Sequence, residues 1–216
     1  MSLIEKTAYS ISARSRERKY GQFLDLVAPQ ADETILDVGA NVTEYSETDN
    51  FLERHYEHPE RITVLGVGDI TPIKERYPSV TVVSGDGRIL PFPDHSFDIA
   101  YSNAVIEHVG SRDDQLRFLR ELFRVGKRGY LTTPNRHFPI EVHTRIPLLH
   151  LLLPKPLFDR FLRLIGKEWA AGDYMNLLSE GDLRAMLAEA GIHDATVIRN
   201  RFLGFTMTFT VMWKKS

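Results

Sequence analysis

Short apolar runs alternate along this chain with longer stretches of helical spacing. Residues 3–28 predict a helical lead-in whose apolar surface comes from Phe23, Leu24, Leu26 and Val27, and Pro29 closes it. Thr34–Gly39 is a brief apolar run ended by glycine, the pattern of a buried strand entering a turn. A polar helix is predicted over 44–57. Strands follow over Arg61–Val67, Val80–Ser84 and Ser96–Ser102, the last alternating as a sheet expects. Ser111 and Asp114 form a capping-box pattern ahead of the stripe Leu116, Leu119, Leu122 and Phe123, which Gly126 stops. Gly129–Thr133 reads as a fifth strand ended by Pro134. Ser179 and Asp182 repeat the cap before Leu183, Met186 and Leu187, with Gly191 at the helix end.

Two closing strands, 195–200 and 202–213, have no helix between them. Strands separated by helices imply βαβ units with right-handed crossovers, and a final strand pair without a crossover implies antiparallel pairing. The expected fold is therefore α/β, a doubly wound, mostly parallel seven-stranded sheet with helices on both faces and an antiparallel C-terminal edge. We expect a single domain over residues 1–216.

Composition acts mainly by exclusion. A chain of 216 residues, 43% hydrophobic and 26% charged, can bury a core without covalent staples. The absence of cysteine removes disulfides, Cys-ligated zinc and a cysteine nucleophile from consideration. A net charge of −2 gives no reason to expect a nucleic-acid partner. The longest apolar run, Ile146–Leu153, includes His150 and falls far short of the ~20 residues of a membrane span. The first residues carry no export-signal pattern, so a cytoplasmic location is expected.

In open α/β sheets, ligands sit beyond the carboxyl ends of the strands. The residues placed there are Asp37-Val38-Gly39-Ala40-Asn41, Gly68-Asp69, Gly85-Asp86-Gly87 and Ser102-Asn103-Ala104. Glycine lets backbone approach a ligand closely, and a carboxylate accepts hydrogen bonds from a ribose diol or an exocyclic amine. A nucleoside-containing cofactor suits that layout. The stretches ILDVG (35–39), VTVVSGDGRILPFPDHSFDIAYSNAVIEHV (80–109) and FLRELFRVGKRGYLTTPN (118–135) resemble class I S-adenosylmethionine-dependent methyltransferases. The resemblance covers about residues 20–135, with 179–213 as the closing helix and strands. Segment 137–175 is extra to the minimal fold and reads as an inserted lid or acceptor segment.

The resemblance implies S-adenosylmethionine as cofactor and S-adenosylhomocysteine as product. It places Asp37, Gly39 and Ala40 at the methionine part, Asp69 at the ribose, Asp86 and Gly87 at the adenine amine, and Asn103 under the sulfonium. Two positions depart from the family pattern. The first loop, usually D-x-G-x-G-x-G, keeps only Gly39 of its glycines, with Asn41 and Thr43 at the others. The acid after the second strand, Asp69, stands one residue late relative to Gly66.

A sulfonium methyl chiefly needs an aligned acceptor and exclusion of water, and a base is required only if the acceptor must lose a proton. The candidates are Glu107 and His108 after the fourth strand, and Glu141 and His143 in the segment that leaves the fifth strand at the ligand edge. Each also has a plain structural reading. Asp69 and Asp86 suit turns or caps, Glu107 and His108 a helix start, Glu141 and His143 loop anchors. His55 and His58 with Glu53, and the run Arg14, Arg16, Arg18 and Lys19, read as solvated helix faces, so no metal site is expected.

In the insertion, Leu157, Phe158, Phe161, Leu162, Leu164 and Ile165 share a broad face opposite Asp159, Arg160, Arg163 and Lys167. Such a helix either covers the sheet as a lid or lies on a membrane surface. The expected function is methyl transfer to a small-molecule acceptor, apolar or lipid-linked, with peripheral membrane contact through 145–167. The alternative is a catalytically impaired binding module on the same fold, given the glycine-poor loop. A nicotinamide enzyme is disfavoured because no G-x-G-x-x-G cradle is present.

Overall fold

The computed structural model describes residues 3–44, 49–141, 143–172 and 175–215. Its strands are β1 (Ile35–Val38), β2 (Ile62–Gly66), β3 (Thr81–Ser84), β4 (Phe97–Asn103), β5 (Gly126–Pro134), β6 (Thr196–Phe202) and β7 (Phe205–Lys214). They form one seven-stranded sheet in the order β3-β2-β1-β4-β5-β7-β6. Strands β1 to β5 pair in parallel, whereas β7 is antiparallel to both β5 and β6. The expected antiparallel pair is present, but β7 lies inside the sheet and β6 forms its edge.

The reason is local. Leu203 and Gly204 both take left-handed φ values, 48° and 85°, the two-residue turn whose twist matches a hairpin. That turn keeps Phe202 in β6, opposite Phe205, and moves the boundary two residues past the expected end of the strand. β7 then docks on β5 with Gly129 opposite Trp213; a Cβ at Gly129 would stand 2.0 Å from the indole.

Side chains alternate across the strands, so the two faces carry different helices. Ile35, Ile62, Val64, Ile99, Tyr101 and Tyr130 pack under α1 (Leu3–Val27), α2 (Phe51–His55) and α3 (Thr71–Arg76). Leu36, Val38, Leu65, Ala100 and Leu131 pack under α4 (Arg112–Val125) and α7 (Glu180–Glu189). Both capping boxes form: Ser111 with Asp114 begins α4, and Ser179 with Asp182 begins α7.

The helix expected over 44–57 is reduced to α2, and residues 45–48 lie outside the described residues. Asn50 at φ 47° cannot extend α2 backwards. Strand β5 starts at Gly126, three residues early, because that glycine is extended and sits where a Cβ would come within 2.7 Å of Ala100 on β4. The short α3 has too few residues to show a period in the sequence.

Segment 137–175 contributes α5 (Leu149–Leu152) and α6 (Lys155–Leu164). Its broad apolar face is split: Phe158 and Leu162 join Ala170 and Met175 in a small core, while Leu152, Leu157 and Leu164 point to solvent. No helix among the described residues is long and apolar enough to cross a membrane.

Candidate active site

Of the expected binding residues, Asp37, Gly39, Ala40 and Asn103 lie where β1 and β4 end, and Asp69, Asp86 and Gly87 follow β2 and β3. Gly39 takes φ +103°, and a Cβ there would stand 2.3 Å from Val105 Cγ2. Its N–H donates to the Leu65 carbonyl at 2.8 Å, fixing the turn that leads to Ala40. The loop that follows is closed by side chains in place of glycines. Asn41 N–H donates to Asn50 Oδ1 at 2.9 Å, and Asn50 Nδ2 donates back to the Asn41 carbonyl at 2.8 Å and to Glu44 at 2.9 Å. Glu44 in turn holds Arg54, Arg76 and Tyr77. Asn50, at φ 47°, supplies the left-handed backbone here.

Asp37 lies buried on the α1–α3 face beside Glu53 of α2. Burial, and then the neighbouring carboxyl, push Asp37 well above the usual carboxylate range; burial raises Glu53 as well. The two carboxyls face each other as a pair, and nothing else among the described residues satisfies the Glu53 oxygens. Glu53, expected on a solvated face, is instead 4% exposed. Two buried acids at a strand end hold a proton between them that an incoming cation can displace. A cationic ammonium, such as that of a methionine moiety, fits there.

Asn103 ends β4. Its Oδ1 accepts from Lys19 Nζ at 2.8 Å and from Thr132 Oγ1 at 2.6 Å, so a lysine expected in solvent is buried against the site. Burial first, with Arg16 adding repulsion and Glu107 opposing, lowers Lys19 to about 8. One available indication was that Lys19 precedes the core residue Phe23 by four, the spacing of one helix face. Glu53 and Asn50 gave no comparable signal.

The two remaining carboxylates are engaged locally. Asp69 accepts the Thr71 N–H at 3.0 Å at the start of α3, and hydrogen bonding from the Thr71 side chain first, then its backbone, lowers its pKa. Asp86 is gripped by the Arg88 guanidinium, with Nε at 2.9 and 3.0 Å from its two oxygens, which lowers it too. Gly87 is a close-packing residue, since a Cβ would meet Phe118 at 2.6 Å. By contrast, a Cβ on Gly68 would meet nothing within 4 Å, so its φ of +81° is the constraint there.

A second group assembles from two distant segments. Ala104, a non-glycine at φ 59°, turns the chain out of β4 into a short 3-10 turn, Ile106–His108. Glu107 on that turn is fully buried; its Oε2 accepts from Thr133 Oγ1 at 3.1 Å, and its Oε1 has no partner among the described residues. His143 Nδ1 stands 2.8 Å from Glu141 Oε1, and its Nε2 stands 3.9 Å from Glu107 Oε1. The His108 ring meets His143 edge-on, with centroids 4.9 Å apart.

Burial opposes charge on both Glu141 and His143, but their mutual contact outweighs it. Together with hydrogen bonds from Thr144, it holds Glu141 at about 2 and raises His143. All four expected catalytic residues thus converge. The adjacent Thr132 and Thr133 of β5 hold Asn103 and Glu107, placing this group next to the Lys19–Asn103 end of the site. A cleft of about 410 Å³ opens beside it under the insertion, lined in part by Arg136, His137, Glu141, His150, Phe158 and Met175.

Residues 36–132 match a family described as methyltransferase domain. A stretch of 70 residues, 31% of this chain, is 39% identical to a protein of Mycolicibacterium smegmatis named as an S-adenosylmethionine-dependent methyltransferase. It is 40% identical to a similarly named protein of Mycobacterium tuberculosis. These matches span only 26% and 24% of the lengths of those relatives. Among solved structures, a SAM-dependent methyltransferase of Aquifex aeolicus superposes with TM-score 0.58 at 15% identity, covering 96% of each chain. The Burkholderia thailandensis 1,6-didemethyltoxoflavin-N1-methyltransferase, solved with bound 1,6-didemethyltoxoflavin and S-adenosylhomocysteine, gives 0.59 at 12% identity, covering 98% of this chain and 83% of its own. At these identities the likeness is one of fold.

Proposed function

We infer from the methyltransferase domain matched over residues 36–132 that this chain is a class I S-adenosylmethionine-dependent methyltransferase, and on that premise that it methylates a small-molecule acceptor of apolar or lipid-linked character. The observation that carries the reading is the junction at the end of β4 and β5. There Asn103 and the buried Lys19 meet four converging titratable side chains, held in place by Thr132 and Thr133.

When bound, S-adenosylmethionine supplies a methyl group already activated on a sulfonium sulfur. The Asp37–Glu53 pair would hold its ammonium, and the Gly39–Ala40 backbone would lie along its methionine part. Asp69 would meet the ribose hydroxyls, Asp86 and Gly87 the adenine, and Asn103 the sulfonium region. For Asp86 this needs a carboxylate oxygen lone pair left over from Arg88, which two oxygens with about four lone-pair sites allow. The Asn41–Asn50 clasp favours a working site over a degenerate one, because it orders the loop that lost its glycines.

At the acceptor end, Glu107 and His143 offer an oxygen and a nitrogen toward the same space, with Glu141 orienting the imidazole and His108 closing the edge. An acceptor group placed there is positioned beside these side chains. The cleft under the insertion supplies apolar walls from Phe158 and Met175. Leu148, Leu152, Leu157, Leu164 and Trp169 are each more than half exposed, interspersed with Arg160 and Arg163, which supports a peripheral membrane contact through 145–167.

Titration calorimetry with S-adenosylmethionine, S-adenosylhomocysteine and NAD tests the cofactor half. Micromolar binding of the first two and none of NAD is expected; folded protein that binds neither overturns it. Product mass after incubation with apolar alcohols and lipid-linked acceptors tests the other half. A methyl gain confined to water-soluble polar acceptors would rule out the apolar class.

A further inference from the structure

We propose that Glu107, His108 and His143 hold a divalent first-row transition-metal cation at the acceptor end of the site. Three observations converge. One ligand atom from each of these residues lies within 4.8 Å of the others, with Glu107 buried and the two histidines partly so. Glu107 Oε1 is a fully buried carboxylate oxygen with no hydrogen-bond partner among the described residues, and it faces His143 Nε2. A buried anionic oxygen left bare is costly unless a cation meets it.

The spacing between these two atoms is informative. At 3.9 Å they are too far apart to share a proton, which needs about 2.8 Å. Ligands bound to one cation at about 2.1 Å stand roughly 3.0–4.2 Å apart, and 3.9 Å lies in that interval.

The surroundings match a ligand set as well. His143 Nδ1 meets Glu141 Oε1 at 2.8 Å, so Nε2, the other ring nitrogen, is the one on the Glu107 side. Glu141 is itself held by the His143 and Thr144 N–H groups. A carboxylate behind a histidine is the usual outer support of a metal ligand. Thr133 plays the same part behind Glu107 Oε2.

Two imidazole nitrogens and one carboxylate oxygen disfavour calcium and magnesium, which take oxygen alone, and suit manganese through zinc. Three protein ligands leave positions open for an acceptor oxygen, whose proton a cation makes easier to lose to solvent. That consequence, an oxygen acceptor, rests on the methyl-transfer reading; the ion site itself does not.

The test uses full-length protein stripped with a chelator and dialysed. Cobalt(II) is titrated in while visible absorption is recorded, with manganese(II) followed by paramagnetic resonance. One equivalent should bind, and Glu107→Gln and His143→Asn should each weaken binding by at least about tenfold, Glu141→Gln by about 10- to 100-fold. Circular dichroism checks that each variant folds. Calorimetry with S-adenosylhomocysteine on the stripped protein reads the cofactor site separately, so loss of one binding event does not obscure the other. No cobalt or manganese uptake by folded wild type, or equal uptake by the Glu107 and His143 variants, overturns the proposal.

Discussion

Gly39→Ala probes the turn on which the cofactor end of the site is built. Two costs are separable there. The φ of +103° is a left-handed conformation that penalises any L side chain by roughly 1–2 kcal/mol. The new methyl would also sit 2.3 and 2.7 Å from the two Val105 methyls, an overpacking worth about 1–3 kcal/mol. The single variant should therefore lose about 2–5 kcal/mol of unfolding free energy. Val105→Ala alone removes two methyl groups from a partly buried residue, and at about 0.8 kcal/mol per group when fully buried it should cost about 1 kcal/mol. In the double variant the two methyl clashes disappear, leaving Val105 Cβ at 3.0 Å, while the backbone penalty stays. The double-mutant cycle should then show about 1–3 kcal/mol of favourable coupling, read from urea denaturation of all four proteins. Additive costs, within the ~0.5 kcal/mol seen for independent sites, would refute the assignment of Gly39 to close packing against Val105.

Four further outcomes follow from the site. Lys19 carries a pKa of about 8 in the fold against 10.5 unfolded, so below pH 8 the folded state bears the full cost of burying charge. Between those values the unfolded chain holds a proton that the folded chain does not, so this residue's contribution rises with pH. The stability gap between wild type and Lys19→Met should move by roughly 3 kcal/mol in favour of wild type across that interval, at about 1.4 kcal/mol per pK unit; parallel pH curves would contradict it. An arriving ammonium should draw a proton from the raised Asp37–Glu53 pair, so calorimetric enthalpies of S-adenosylmethionine binding in mildly acidic buffers should track buffer ionisation enthalpy in wild type and not in Asp37→Asn. Identical wild-type enthalpies across buffers would count against the pair. Asn50→Ala removes the clasp on the first loop and should lower cofactor affinity by about tenfold, one or two hydrogen bonds' worth, with α2 retained; undiminished affinity means the loop orders without it. Asp86→Ala should weaken cofactor binding by about 1–3 kcal/mol, and an unchanged constant would leave Asp86 only its turn with Arg88.

What the sequence determined by itself was whatever depends on neighbours along the chain. Strand runs such as Ile35–Val38, the caps at Ser111 and Ser179, and the recurrence of glycine and acid after each strand all follow from local spacing, and together they specify a doubly wound sheet and its ligand edge. Glu107 and His108 were visible for the same reason, lying just beyond β4, and Glu141 and His143 because their segment leaves β5 at the ligand edge. The tertiary structure decided what those residues face. Lys19 and Glu53 sit in charge-rich runs that look solvated, yet one is driven under β4 and β5 by the packing of α1, and the other is folded against Asp37 by α2. Asn50 replaces loop glycines through a contact with Asn41 that no periodicity announces. Placing β7 inside the sheet, and bringing His143 within 3.9 Å of Glu107, required the register of distant strands. Burial and electrostatic partnership arise only when segments far apart in the chain are packed together, because one-dimensional patterning records which side of an element is apolar and not what lies across from it.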